Sequence, residues 1–221
     1  MKKVENKNEL SILIGFSFVA LLFWDSIIVY PIKFFIVLIH EINHGLMAIL
    51  TGGSIHSIII TSNLSGITNT IQGNAIFIAS AGYLGSLVWG LLLVISANKE
   101  KLQLYLCTII STIIFIVAVN IIEDGFFTFL SIIFSLIFFI LPRYVNKKIT
   151  PYILKFLGIV SCFYVIADIK QDLLTSSIRE TDTQILEYLT GLPAILIGLL
   201  WFIISIALLF LVLKQSYFSK N

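Results

Sequence analysis

Residues 34–53 read FFIVLIHEINHGLMAILTGG and carry His40, Glu41 and His44 inside an otherwise apolar stretch. They belong to a segment, residues 32–50, that has about the ~20 residues a helix needs to cross a bilayer. Removing ionisable side chains from water costs several kcal/mol each unless partners satisfy them. Polar groups in such a helix therefore mark a candidate functional site.

The rest of the chain is similarly apolar. Of its 221 residues, 58% are hydrophobic and 12% charged, whereas soluble domains have about 25% charged residues. Seven apolar segments follow one another: 10–29, 32–50, 75–96, 102–121, 125–142, 151–169 and 192–213. This pattern predicts an all-α polytopic membrane protein with six to seven transmembrane helices and a single membrane-embedded domain, residues 1–221. The net charge of +2, with no basic stripe, gives no support for a nucleic-acid partner.

Two connections between these segments are longer than simple turns. Residues 54–71 are rich in β-branched residues and contain turn signals, which predicts a short β-hairpin at the membrane surface. Residues 170–191 are polar and amphipathic, and they predict a helix end followed by a surface helix. Asp182 is expected there as an N-cap and a solvated surface charge. The C-terminal region 168–213 thus combines an acidic segment with the last helix.

The spacing of the polar residues in the second segment is typical of a metal site. On an α-helix, His40 and His44 lie one turn apart on the same face, so both imidazoles can reach one metal ion. Glu41 is rotated by about 100° and can reach a water molecule beside the metal. A glutamate in that position can accept a proton from water and pass it to a leaving amine. The pattern predicts His40 and His44 as zinc ligands and Glu41 as the general base.

Other interpretations of the same residues are compatible with the sequence. A cluster of hydrogen bonds could join this helix to its neighbours, although three ionisable groups within five residues are costly for that purpose. A non-catalytic metal-binding membrane protein, such as a transporter or an assembly factor, would need the two ligands but not the base. Glu41 therefore distinguishes an enzyme from a protein that only holds or moves a metal.

The sequence HEINHGLMAILTGGSIHSI, residues 40–58, followed by SAGYLGSLVWG, residues 80–90, resembles the site-2 protease family of intramembrane zinc metalloproteases. It is most similar to a compact branch found in bacteria and plants, and the resemblance extends over about residues 36–213. It implies hydrolysis of a peptide bond inside the bilayer or at its edge, a Zn2+ cofactor, and a membrane-protein or peptide substrate. It also implies a multi-pass protein of a bacterial cell membrane.

A catalytic zinc site needs a third protein ligand. Better-known members of the family take it from a Leu-Asp-Gly motif, whose nearest equivalent here is Asp124. Depth along helices that run in the same direction, at ~1.5 Å per residue, instead favours Asp168. Asp172, one turn further along, is another alternative. His56, in the predicted hairpin, is expected to be an ordinary strand residue.

The hairpin also suggests how a substrate could bind. A transmembrane helix keeps its peptide bonds hydrogen-bonded internally, so it must unwind before hydrolysis. An unwound segment needs new hydrogen-bond partners, and the edge of the hairpin at 54–71 could supply them by strand addition. Ile58 and Ile60 are the candidate substrate-binding residues. The alternative is a hairpin that only caps the protein surface.

Overall fold

The computed structural model describes the backbone of residues 2–174 and 181–218, and the side chains of residues 8–165 and 181–214. Within these ranges the chain forms helices and one antiparallel hairpin, in the order α1 (Lys2–Leu22), α2 (Tyr30–Leu50), β1 (Ser54–Ile60), β2 (Gly66–Ile71), α3 (Ala75–Ser96), α4 (Glu100–Asn120), α5 (Gly125–Tyr144), α6 (Thr150–Leu174), α7 (Asp182–Thr190) and α8 (Ala194–Phe218). The predicted fold class, an all-α membrane protein with a hairpin after the second helix, is confirmed.

Five helices in the described part of the chain are long and apolar enough to cross a membrane: α2, α3, α4, α5 and the Ala194–Lys214 part of α8. The other two of the seven apolar segments coincide with shorter apolar stretches, Asn8–Leu22 in α1 and Thr150–Val165 in α6. Five such spans are consistent with a multi-pass integral membrane protein.

Local residue chemistry determines where the helices around the site begin. Pro31 lies in the first turn of α2, where its missing N–H costs no hydrogen bond. The side chain of Asn74 caps α3 by accepting hydrogen bonds from two backbone N–H groups. A capping box between Thr181 and Gln184 starts α7. The N-cap expected at Asp182 is therefore one residue earlier, at Thr181.

Helix α2 runs through the centre of the bundle. All its residues from Phe34 to Gly45 are buried. It packs against α3, α5, α6 and the hairpin, and on the α5 side the Phe35 and Phe138 rings stack with centroids 4.8 Å apart. Burial on all sides explains why this helix is apolar around its whole circumference outside the polar cluster.

The hairpin lies along α2, which both of its strands contact. Thr68 of β2 donates a hydrogen bond to Glu41 in the middle of α2. The turn between the strands reaches the start of α2, where the Tyr30 hydroxyl donates to the Ser62 carbonyl at 3.3 Å. Apolar side chains of β1 join the protein core, and Ile58 is fully buried.

The outer edge of β1 is covered by the segment that follows α4. The Ile58 N–H donates to the Ile121 carbonyl at 3.1 Å, and the Ile58 carbonyl accepts from the Glu123 N–H at 3.4 Å. The expected open edge at Ile58 is therefore absent, because this chain already uses those backbone groups. Two residues further along the same edge, the Ile60 side chain is also buried.

Helix α3 is wedged between α2 and α6. Its small residues Gly82, Ser86 and Gly90 predict a close contact with α2; of the two glycines, Gly82 faces that helix and Gly90 faces α6. The Ser86 carbonyl accepts a hydrogen bond from the Ser161 hydroxyl of α6 at 3.1 Å. A Cβ atom on Gly90 would lie 2.8 Å from the Gly158 carbonyl oxygen of the same helix. Small residues thus bring three helices together beside the histidines.

Helix α1 packs against α6. It ends at Leu22, and turns over residues 23–29 lead into α2. Lys155 of α6 is buried, and its Nζ lies 2.6 Å from Oε1 of Glu9 on α1. A charge in an apolar environment needs such a partner, so this ion pair fixes where α1 meets α6.

Candidate metal centre

Three side chains from two distant parts of the chain converge on one point. His40 and His44 come from adjacent turns of α2, and Asp182 comes from the first turn of α7. Oδ2 of Asp182 lies 3.1 Å from Nε2 of His40 and 3.3 Å from Nε2 of His44. These residues form the single group of three potential metal ligands among the described side chains, with all ligand atoms within 4.8 Å of one another.

The orientation of His44 is set by a hydrogen bond to α3. Its Nδ1 lies 2.7 Å from the Ile78 carbonyl oxygen. Because a carbonyl can only accept, Nδ1 carries a proton, and in its neutral form the ring presents the lone pair of Nε2. That lone pair points at the Asp182 carboxylate, which is also an acceptor. Only a positive charge between them, a proton or a metal ion, makes this arrangement favourable.

The space in front of the two imidazoles depends on Gly82. A Cβ atom at this position would lie 2.5 Å from Nε2 of His40 and 2.6 Å from Nε2 of His44. Zinc binds imidazole nitrogen at about 2.0–2.1 Å, so a side chain here would compete with an ion for the same nitrogens. The space left by Gly82, the available lone pair and the two-His, one-Asp donor set all fit a zinc ion.

Asp182 lies in the site rather than solvated on the surface and is mostly buried, with 15% of its side chain exposed. Burial raises the pKa of its carboxyl group. The charge of His44, hydrogen bonds from His40 and His44, and the charge of His40 outweigh that effect, so the pKa lies well below its ordinary value. The carboxylate is therefore ionised at neutral pH, which is the form that a metal ligand requires.

The sequence contained one signal for this placement. Asp182 and the apolar Leu186 are four residues apart, so they share one face of α7. Leu186 packs against Ala79 of α3 and Ile197 of α8. An amphipathic helix that buries Leu186 therefore also turns Asp182 inward.

The other acidic residues considered from the sequence have different positions. Asp168 and Asp172 lie near the end of α6, where the side chains are outside the described residues. Asp124 is exposed and caps α5, accepting hydrogen bonds from two backbone N–H groups of that helix. It does not join the histidines because its carboxylate serves the helix terminus. His56 is exposed on β1.

Glu41 is held by the second strand of the hairpin. The Thr68 hydroxyl lies 2.7 Å from Oε2 of Glu41 and 3.0 Å from its carbonyl oxygen. Gly66 lies so close that a Cβ atom there would overlap the Glu41 carboxylate. Glu41 is buried in this environment, with 3% of the residue exposed. β2 therefore forms one wall of the site.

A further contact joins α2 to α3 beside the histidines. The Trp89 indole N–H donates to Oδ1 of Asn43 at 2.9 Å. A Cβ atom at Gly85 would overlap the Asn43 amide, so this glycine lets α3 approach the polar side chain closely. The contact keeps Gly82, one turn before Gly85, facing the imidazoles.

The chain matches the family model described as Peptidase M50B-like over residues 13–212. No curated protein and no solved structure matches it. The matched region includes the two histidines, Glu41, the hairpin and Asp182, and it agrees with the resemblance to site-2 proteases. Because the match covers all but the two ends of the 221 residues, the protein belongs to the family of M50B-like peptidases.

Proposed function

We propose that the protein is a zinc-dependent peptidase that hydrolyses a peptide bond in or beside the transmembrane segment of a membrane-protein substrate. Membership of a peptidase family supports a protein substrate, and five helices long enough to cross a bilayer support a substrate within the membrane. The observation that carries the proposal is that Asp182 of α7 meets His40 and His44 of α2 at one point. Glu41 lies on the same helix as the two histidines.

Zinc suits this set of donors. Catalytic zinc is held by three nitrogen or oxygen ligands from the protein, with one position left open. His40 and His44 would bind through Nε2 and Asp182 through its carboxylate. We assign the third position to Asp182 in preference to Asp168 because Asp182 Oδ2 lies within 3.3 Å of both imidazole nitrogens. When bound, zinc would polarise the scissile carbonyl group and lower the pKa of the attacking water, so that the water loses a proton more easily and becomes a better nucleophile.

Glu41 would act as the general base. A carboxylate accepts a proton from the attacking water and then delivers it to the amine that leaves. The Thr68 hydroxyl occupies one lone pair of Oε2, and a carboxylate has about four acceptor sites, so others stay available for that proton. The hydrogen bond limits rotation of the Glu41 side chain. It therefore keeps the carboxylate in the orientation that proton transfer needs during turnover.

The substrate strand would add to β2 rather than to β1. Ile58 directs its backbone groups away from β2, towards Ile121 and Glu123. In an antiparallel pair the partner residue Thr68 then directs its own N–H and C=O away from β1. No hydrogen bond in the described part of the chain uses those groups of Thr68. A strand added there would run beside Glu41, because the Thr68 side chain touches that carboxylate.

The test is metal analysis combined with substitution of the base. Purified protein in liposomes with single-span model peptides should contain about one zinc per chain and cleave them. Glu41→Gln should keep the zinc and lose cleavage, because an amide cannot accept the proton. The matched control is Glu187→Gln on the exposed face of α7, which should retain both.

Two results would contradict the proposal. Wild-type protein without bound zinc would remove the metal centre. Full cleavage by Glu41→Gln would remove Glu41 as the base. A protein that binds zinc but cleaves no peptide, with or without Glu41, would instead fit the alternative, a transporter or assembly factor that only binds the metal.

A further inference from the structure

The His40 imidazole contacts aromatic rings from two other helices. The Tyr83 ring, on α3, stands nearly perpendicular to the imidazole, with centroids 5.6 Å apart and an interplanar angle of 83°. The Tyr164 ring, on α6, has the same relation, with 6.5 Å between centroids and an angle of 87°. Both tyrosines are buried. Edge-to-face contacts at these separations are favourable because the positive edge of one ring meets the negative face of the other.

Both imidazoles approach Asp182, and each has further contacts that affect its orientation. Rotation of the His44 ring is restricted by its hydrogen bond to the Ile78 carbonyl. The terminal torsion of a histidine has a broad energy profile of its own, so the ring direction of His40 depends on what surrounds it. Rotation of His40 would bring its plane towards the neighbouring tyrosine rings and would turn Nε2 away from Asp182.

We propose that Tyr83 and Tyr164 form an aromatic clamp, which positions the His40 imidazole for metal binding. This inference rests on the proposed zinc site and adds two positioning residues to it. Holding a ligand near its bound orientation lowers the conformational entropy lost when the metal binds. The clamp therefore acts on metal affinity and on ligand geometry rather than on the proton transfer by Glu41.

Tyr164 is itself supported from behind. The Trp24 ring stacks on it with centroids 5.2 Å apart and an interplanar angle of 29°. Trp24 lies in the turn between α1 and α2, where the Lys33 ammonium sits 6.0 Å from its ring centroid. Lys33 also forms an ion pair with Asp25 at 2.7 Å. A continuous set of contacts thus connects this turn to His40.

The experiment is a metal titration of the full-length protein in detergent micelles after removal of bound metal. Zn2+ affinity is measured by competition with a chelator, and Co2+ supplies a visible spectrum that reports ligand geometry. Tyr83→Leu and Tyr164→Leu should each weaken Zn2+ binding about tenfold, the lower end of the effect of residues that orient metal ligands, and should shift the Co2+ absorption bands. Tyr83→Phe and Tyr164→Phe keep the ring and should stay within about threefold of wild type.

Two further variants control for general disruption of the fold. Tyr152, also on α6, is 49% exposed, so Tyr152→Leu should leave affinity and spectrum unchanged. Trp24→Leu removes the ring behind Tyr164, together with its contact to Lys33, but leaves both clamp rings in place. It should weaken binding by about threefold, less than loss of the clamp itself. If Tyr164→Leu does not fold, as judged by circular dichroism, the Zn2+ affinity of Trp24→Leu tests the clamp in its place.

Wild-type affinity and an unshifted Co2+ spectrum in the folded leucine variants would overturn the clamp. So would equal losses in the phenylalanine and leucine variants, because the hydroxyl groups rather than the rings would then be responsible. If wild-type protein binds neither Zn2+ nor Co2+, the proposed metal centre itself is wrong. That result differs from normal binding by wild type and the leucine variants alike, which overturns only the clamp.

Discussion

The Thr68 hydroxyl of β2 lies 2.7 Å from Oε2 of Glu41 on α2. This contact makes the hairpin part of the site, because β2, whose edge away from β1 has no strand partner in the described part of the chain, also holds the proposed base. The same strand contributes Gly66, whose missing side chain leaves room for the Glu41 carboxylate. Strand and helix therefore have to be positioned together for the base to face the metal centre.

Thr68→Val should lower the turnover number about tenfold while zinc content stays at the wild-type level, because the change frees the Glu41 side chain and leaves the ligands untouched. Thr68→Ser retains the hydroxyl and should restore most of the activity. The measurement is steady-state cleavage of a model peptide in liposomes together with metal analysis. Thr70→Val, on the same strand, is the control. Equal turnover in Thr68→Val and Thr70→Val would show that the hydrogen bond is unimportant.

Gly82→Ala should abolish zinc binding. The added methyl group would lie within 2.6 Å of both Nε2 atoms of the histidines, which leaves no room for an ion at bonding distance. Alanine favours a helix by about 1 kcal/mol over glycine, so α3 itself should persist. Gly15→Ala on α1 is the matched control, because a Cβ atom there has no neighbour within 4 Å. Normal zinc content in Gly82→Ala would place the metal elsewhere.

Asp182→Asn should weaken zinc binding by at least about a hundredfold, at or beyond the upper end of the effect of groups that only orient ligands. The asparagine amide has the same size as the carboxylate but binds zinc poorly. Asp124→Asn is the control, since asparagine caps a helix as well as aspartate does, and it should bind zinc normally. A large loss in Asp168→Asn with none in Asp182→Asn would support the assignment made from the sequence.

Parts of the site that lie within one element could be predicted from the sequence. His40, Glu41 and His44 belong to one helix, where a fixed 3.6-residue period relates spacing to direction. The hairpin could be predicted from its β-branched residues and turn signals, which act over a few neighbouring residues. In both cases the information needed is local.

The remaining features depend on contacts between distant segments. Asp182 is separated from His40 by 142 positions, and its approach depends on how α7 packs between α3 and α8. The covered edge at Ile58 depends on where α4 ends, since Ile121 and Glu123 supply its partners. Neither charge pattern nor helix depth contains that information, so the sequence alone predicts neither the approach of Asp182 to the histidines nor the covered edge at Ile58.

The last prediction concerns the edge of β2 that faces away from β1. Backbone N–H groups alternate in direction along a strand, so the Thr70 N–H points to the same free edge as that of Thr68. Thr70→Pro removes this donor but no hydrogen bond to β1. It should lower kcat/KM by about threefold to tenfold, which is the net value of one lost hydrogen bond to an added substrate strand, while zinc content is unchanged. Thr70→Val keeps the N–H and should cleave model peptides at the wild-type rate. If the two variants cleave equally, the hairpin only covers Glu41 and α2, and the substrate binds elsewhere.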